Sequence, residues 1–349
     1  MSVPVPPGID AEPVSRWLTE HIERAVPPFR FDPIVGGRSN LTYAVTGGDG
    51  TCFVLRRPPL GSVLATAHDM AREHRIIAAV YPTGVPVPQP LGLCTDADVN
   101  GAPFYVMSYV DGQVLDTPES VSGIPHAGRR AVAEDLIDVL ADLHAVDVDA
   151  CGLGDLAKRD GYVERQLRRW SKQWEASKTR EVPAVDEVAV RLAESIPVQQ
   201  AVTIAHGDYR FGNCIVDVEA GRIAAVLDWE LCTLGDPLAD VGYLGVYWAD
   251  SADRRSRPND PSREPGFPTY GELVQRYATL SGRDVSDVDY YIAFSAFRLA
   301  VISEGVFARY KAGVMGDGPD PMVVELFETS TVELAESALA AVRVWSEHP

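Results

Sequence analysis

The sequence predicts an α+β protein of two unequal parts, a β-rich N-terminal lobe over residues 1–110 and a mostly helical C-terminal lobe over residues 111–349. Three observations carry this. Between 31 and 110, short β-prone runs alternate with turn residues. The strongest signal is Thr42 to Thr46 and Cys52 to Arg57 flanking Gly47-Gly48-Asp49-Gly50, a hairpin. Beyond 112, apolar residues recur at helical spacing, as at Val132, Leu136, Leu140 and Leu143. Finally, 349 residues are more than one compact core usually absorbs, so division into two lobes is expected.

Taken in order, the first 30 residues read as a Pro-rich start and one helix. Asp10 stands at its cap, Pro13 in its first turn, and Trp17, Leu18 and Ile22 form an apolar stripe. Residues 67–80 are a helix with Met70, Ile76, Ile77 and Val80 on its apolar side, and 82–90 are a loop with four prolines. Residues 104–110 are a strand that ends at the turn Asp111-Gly112 and leads into the second lobe. Helices follow at 162–174 and 188–196, then loops and short strands at 203–230. Asp236-Pro237 opens another helix, 250–268 is a polar, Pro-rich loop, and 270–280, 290–311 and 322–344 are helices.

The charge is −19 and unevenly placed: 8 Arg against 10 Asp and Glu leaves −2 in residues 1–110, and therefore −17 in the remainder. Nucleic acid and anionic membrane repel such a surface, so neither is expected as a partner. A cationic or polyhydroxylated small molecule is compatible with it, as are plain solvated acidic helices. Five cysteines with no CxxC pair point to reduced thiols and away from a disulfide framework or zinc site. The N-terminus lacks a basic, then apolar, leader, and no 18-residue apolar span stands out, so the expected location is cytoplasmic.

The informative run is His206-Gly207-Asp208-Tyr209-Arg210-Phe211-Gly212-Asn213, followed after the apolar stretch 223–227 by Asp228-Trp229-Glu230. An Asp and an Asn five apart, with a second Asp closing a strand, suit phosphoryl transfer. Asp208 accepts a hydroxyl proton, and Asn213 and Asp228 hold Mg²⁺ on the phosphates of a nucleoside triphosphate. One carboxylate, one amide oxygen and the phosphates suffice for Mg²⁺, which keeps several waters. Glu230, two residues along an extended segment, faces the same way as Asp228 and can reach metal, substrate or solvent. His206 reads as a loop stabiliser, and Asp236 as a helix cap.

These residues resemble the aminoglycoside phosphotransferase family of small-molecule kinases. GGRSNLTY, FVLRRPP, REHRII, PFYVMSYVDG, HGDYRFGN and LDWELCTLGDPLAD occur in that family's order across the chain. Within it, the chain resembles the branch that includes kinase-like domains of some acyl-CoA dehydrogenase proteins. The resemblance implies a bilobal, protein-kinase-like fold, ATP and Mg²⁺ as cofactors, and a small-molecule hydroxyl as acceptor. It implies that Gly37, Ser39 and Asn40 line the phosphate loop, and that Met107, Ser108 and Val110 meet the adenine through the Ser108 carbonyl and the Val110 amide. It also implies that Asp240 braces the catalytic loop.

One departure stands out. The family has a Lys on the strand where this chain has Arg56, and no lysine precedes Lys158. Arg binds phosphate bidentately, so Arg56, paired with Glu73, can take that place. The departure keeps a second function open, a nucleotide-binding module without catalysis. A metal-dependent hydrolase built on His206 and Asp208 is the third reading. Oligomeric state and the identity of the acceptor stay open.

Overall fold

Alternation along the strands organises the N-terminal part of the chain. In the computed structural model, residues 5–34, 40–61, 69–249, 260–313 and 321–347 are described. Helix α1 (Ala11–His21) is followed by strands β1 (Arg30–Pro33), β2 (Leu41–Thr46) and β3 (Cys52–Arg57). Then come α2 (Met70–Val80), β4 (Pro90–Cys94), the short α3 (Ala97–Asn100) and β5 (Phe104–Ser108). The five strands form one antiparallel sheet in the order β1-β2-β3-β5-β4. Phe53 and Leu55 join Phe31, Tyr43, Val45, Phe104 and Val106 in a buried layer against Val14, Trp17 and Leu18 of α1. Val54 and Met107 belong to the other core, with Ile76 and Ile77 of α2. Full burial of a side chain of this size contributes about 1.5–3 kcal/mol, so each face has its own driving force.

The same two-residue period separates the two arginines that end β3. Arg57 follows the α1 face, where it is buried and its Nη1 donates to the carbonyls of Asn100 at 2.9 Å and Gly8 at 2.5 Å. Arg56 follows Val54, pairs across the sheet with Tyr105, and faces α2 and the interlobe cleft.

The chain leaves β5 at Ser108 and crosses through Gly112, whose φ is +146° and whose Cβ, had it one, would lie 2.5 Å from Ile215 Cγ2 and 2.6 Å from the Val216 carbonyl. Only glycine fits that crossing. Gln113 then exchanges both backbone hydrogen bonds with Val216, at 2.9 and 2.7 Å. The second part contains α4 (Pro118–Val121), α5 (His126–Ala145), α6 (Tyr162–Ser177) and α7 (Pro183–Glu194). Next are β6 (Thr203–Ala205), β7 (Cys214–Asp217), β8 (Arg222–Val226), β9 (Thr233–Gly235), α8 (Leu238–Val246), α9 (Tyr270–Ser281), α10 (Val288–Lys311) and α11 (Pro321–Glu347). β6 pairs with β9 and β7 with β8, both antiparallel. The expected α5 stripe of Val132, Leu136, Leu140 and Leu143 is fully buried.

Several expectations are corrected. Strand β4, in the sequence Pro-Leu-Gly-Leu-Cys, went unpredicted because Pro and Gly mask its β character. The strand expected to reach Val110 ends at Ser108. Helix α8 begins at Leu238 with Pro237 as its cap residue, although Asp236 still accepts the Leu238 N–H at 2.9 Å. Asp10 occupies the cap position of α1 without a side-chain capping bond. The expectation of no long apolar span also fails: α10 is long and apolar enough to cross a membrane by length and composition. Its apolarity follows from burial, since 72% of that window is covered, and it packs against α6, α7, α8 and α11.

Candidate active site

The loop carrying Asp208 hangs from buried donors and acceptors on three helices. It leaves β6 through Gly207, at φ +82°, where a Cβ would lie 2.8 Å from the Leu231 carbonyl. Asp240 on α8 is fully buried and accepts the His206 N–H at 2.6 Å and the Gly207 N–H at 2.7 Å. His144 on α5 places Nε2 3.3 Å from Asp240 and Nδ1 2.7 Å from the Tyr277 hydroxyl. From α10, Arg298 donates to the Gly207 carbonyl. Burial pushes the Asp240 carboxyl up, but His144, His206 and the Gly207 N–H outweigh it and hold the group below the usual range. His206 turns both ring nitrogens to backbone: Nδ1 accepts from the Asp208 N–H at 3.2 Å, and Nε2 donates to the Leu227 carbonyl at 2.9 Å.

Asp208 sits at the rim of this frame, 19% exposed. Its Oδ2 accepts from Asn213 Nδ2 at 2.7 Å, and Oδ1 accepts from the Tyr243 hydroxyl. Burial first, then Tyr247 and Asp208, push the Tyr243 phenol well above its ordinary value, so it stays a donor. A carboxylate offers about four lone-pair directions, so two bonds leave Asp208 able to take a substrate proton. Arg210 Nε lies 3.5 Å from Oδ1.

Asn213 and Asp228 come together through backbone, because the Asn213 carbonyl accepts the Leu227 N–H at 2.8 Å. Asp228 is one of two described non-glycine residues with positive φ, at 63°. Such a conformation is uncommon, and Asp is among the residues that tolerate it. It turns the carboxylate from the end of β8 toward the cleft, 28% exposed, where Oδ1 meets Arg56 Nη2 at 2.5 Å. Arg56 also has Nε 3.2 Å from Glu73 on α2 and Nη2 3.9 Å from Glu230. Burial alone would lower the guanidinium; Glu73, Tyr105, Asp228 and Glu230 together keep it more firmly protonated than usual. Glu73 is 2% exposed and pushed up by burial, with Arg56 pulling it back. Asn40 Nδ2 donates to Glu230 at 3.2 Å, tying β2 to this corner.

For Mg²⁺ the donor set fits. The Asn213 amide nitrogen is engaged with Asp208, which leaves its carbonyl oxygen as a hard ligand, and Asp228 adds a carboxylate. Among the described residues, no group of three or more His, Cys, Asp or Glu is placed to hold a metal ion.

The structure thus groups Asp208 with Asn213, and Arg56 with Glu73 and Asp228. Asn40 reaches the second group through Glu230 rather than as a free phosphate donor. Met107 is buried on the cleft face opposite Val54, and the Ser108 N–H is held by the Gln89 carbonyl at 2.9 Å. The Val110 N–H makes no backbone hydrogen bond among the described residues. Gly37 and Ser39 lie outside the described residues. The sequence alone assigns no role to Tyr243, Arg298 or Arg72. Arg72 on α2 donates to the carbonyls of Glu230 at 3.5 Å and Cys232 at 2.5 Å, fixing α2 to the Asp228 segment. The one available signal was Tyr243 in GDPLADVGY, one helical turn from Asp240.

A small sheet lobe, a helical lobe and this carboxylate pattern between them define a protein-kinase-like phosphotransferase fold. Residues 30–271 match the model of the phosphotransferase enzyme family, and the chain belongs to that family. It is 38% identical over 320 residues to mouse acyl-CoA dehydrogenase family member 10, covering 90% of this chain and 30% of that protein. It is 34% identical over 282 residues to rat acyl-CoA dehydrogenase family member 11, covering 79% and 36%. The chain therefore spans about a third of these relatives. A Ralstonia eutropha protein described as a candidate aminoglycoside phosphotransferase superposes with TM-score 0.81 at 32% identity, over 96% of this chain and 98% of that one. The macrolide 2'-phosphotransferase MphH of Brachybacterium faecium shares the fold, with TM-score 0.58 at 19% identity over 92% and 97%.

Proposed function

We propose that this chain is an ATP- and Mg²⁺-dependent phosphotransferase acting on a hydroxyl group of a small molecule. The observation that carries the reading is Asp208, a partly exposed carboxylate fixed by Tyr243 and Asn213, beside a metal-competent Asn213 and Asp228 pair. The acceptor oxygen bonds to the γ-phosphorus as the bond to the β,γ-bridging oxygen breaks. ADP leaves with that electron pair, and the hydroxyl proton passes to Asp208. Asn213 and Asp228 would hold Mg²⁺, which when bound neutralises charge on the phosphates. Arg56 supplies a further cation toward the phosphates, and Tyr243 keeps the Asp208 carboxylate oriented. Replacing Asp208 by Asn should lower transfer by about 10²–10⁴-fold while nucleotide binding persists. Mass spectrometry over a hydroxyl-compound panel reads the first, and thermal shift with Mg·ATP the second. Undiminished transfer in Asp208→Asn would refute the role.

The second reading, a nucleotide-binding module without turnover, is favoured by one observation: Asp228 is already ion-paired to Arg56, so metal must share that carboxylate. Stabilisation by Mg·ATP with no product from any acceptor would select it.

A further inference from the structure

Arg210 is a cation in the catalytic loop that the phosphotransfer reading leaves without a task. Its guanidinium lies over the Tyr247 ring at 5.1 Å, and its one ion pair among the described residues is the 3.5 Å approach of Nε to Asp208. Nε is buried and lacks a hydrogen-bond partner, and neither Nη atom donates to another described residue. The other arginine near Asp208 has work elsewhere: Arg298 is buried, bonds the Gly207 carbonyl, and sits 4.6 Å over the Tyr243 ring. Among the described residues, Arg210 thus has one counter-charge, the catalytic carboxylate itself. When Asp208 takes the hydroxyl proton, that counter-charge disappears, and a guanidinium is left unbalanced in a half-buried place. A substrate anion would balance it. The same cation would offset the repulsion that Asp208 exerts on an anionic acceptor before reaction.

We propose that the acceptor is a hydroxy acid whose carboxylate is bound by the Arg210 guanidinium while its hydroxyl faces Asp208. Planar guanidinium and planar carboxylate match as paired N–H···O bonds, and the Tyr247 ring holds the guanidinium in place. The local chemistry is opposite to that of the chain as a whole, whose −19 charge on its own would suggest a cationic acceptor. The proposal rests on the phosphotransferase reading, and the test keeps the two apart.

The full chain is given Mg·ATP and a panel of hydroxy acids, each paired with its carboxamide and with the amino alcohol of the same skeleton. Phosphorylated product is read by mass spectrometry, and acceptor binding by thermal shift in the presence of Mg·AMP-PNP. Acids should be preferred over their carboxamides by about 10–100-fold in kcat/KM, as expected for a charge-assisted pair. Arg210→Gln should erase that preference, and Arg210→Lys should restore part of it, whereas a merely structural loss would lower all acceptors alike. If amino alcohols or carboxamides are phosphorylated as well as the acids, the phosphotransferase stands and the anion site is overturned. If no acceptor turns over, acid-specific thermal shifts abolished in Arg210→Gln support the site, and the absence of any such shift overturns it. If Mg·ATP itself does not bind, the underlying reading fails first, and the proposal with it.

Discussion

Replacing Arg56 by Met keeps much of the side-chain volume but removes the cation 3.2 Å from Glu73, a carboxylate only 2% exposed. Stranding a buried charge costs about 3–5 kcal/mol if the charge persists. Protonation caps the cost. From an ordinary Glu value near 4.3, taking up a proton at pH 7 costs about 3.7 kcal/mol, and at pH 5 about 1 kcal/mol. In the parent, burial pushes Glu73 up while Arg56 pulls it back; in the variant, burial acts with less opposition. A group whose folded value is raised is stabilising below its unfolded value, and that contribution is lost as pH rises. The penalty of Arg56→Met should therefore grow with pH, by at most about 2–3 kcal/mol between pH 5 and pH 7. At roughly 1.4 °C per kcal/mol for a chain of 349 residues, Tm should fall by up to roughly 5 °C at pH 7 and roughly 1.4 °C at pH 5. Paired thermal and urea unfolding across that range measures it, and Arg56→Met/Glu73→Leu should recover most of the loss at pH 7. An equal penalty at both pH values would refute the reasoning, because Glu73 would then be neutral in the parent.

Tyr243→Phe removes the hydroxyl that donates to Asp208; kcat/KM should fall roughly 10–150-fold, as for a lost hydrogen bond to a charged group, with Mg·ATP binding unchanged by calorimetry. Asp240→Ala strands the His206 and Gly207 N–H groups and should cost about 2–6 kcal/mol in urea unfolding. Because Asp240 is held below the usual carboxylate range, its contribution is present above the unfolded value near 3.9 and is lost as pH falls through the lower folded value. Asp240→Ala should accordingly be less acid-sensitive than the parent below about pH 4, and a parallel acid limb would count against the assignment.

What was readable in the chain is what depends on near neighbours. The period of two along Val54-Leu55-Arg56-Arg57 separates the cleft arginine from the buried one, and the sheet keeps that separation. The five-residue spacing from Asp208 to Asn213 is spanned by one turn, so their hydrogen bond is a local matter. Tyr243 could not be found this way. Its helix meets the catalytic loop only because Asp240, one turn earlier, binds the two N–H groups that precede Asp208. Arg298 reaches the same loop from 91 residues away. Strand β4 was missed for a different reason: its pairing with β5 outweighs the poor β propensity of Pro and Gly.

Charge shows the division most clearly. The sum over 349 residues is a property of the surface, and it says how the molecule meets distant charge. What an acceptor meets within a few ångströms of Asp208 is set by Arg210, Tyr243 and Tyr247, which the fold gathers from a loop and a helix. At that range a half-buried guanidinium outweighs many solvated carboxylates lying beyond a Debye length of about 8–10 Å. An acidic chain can therefore hold a site for an acid, the arrangement proposed above for Arg210.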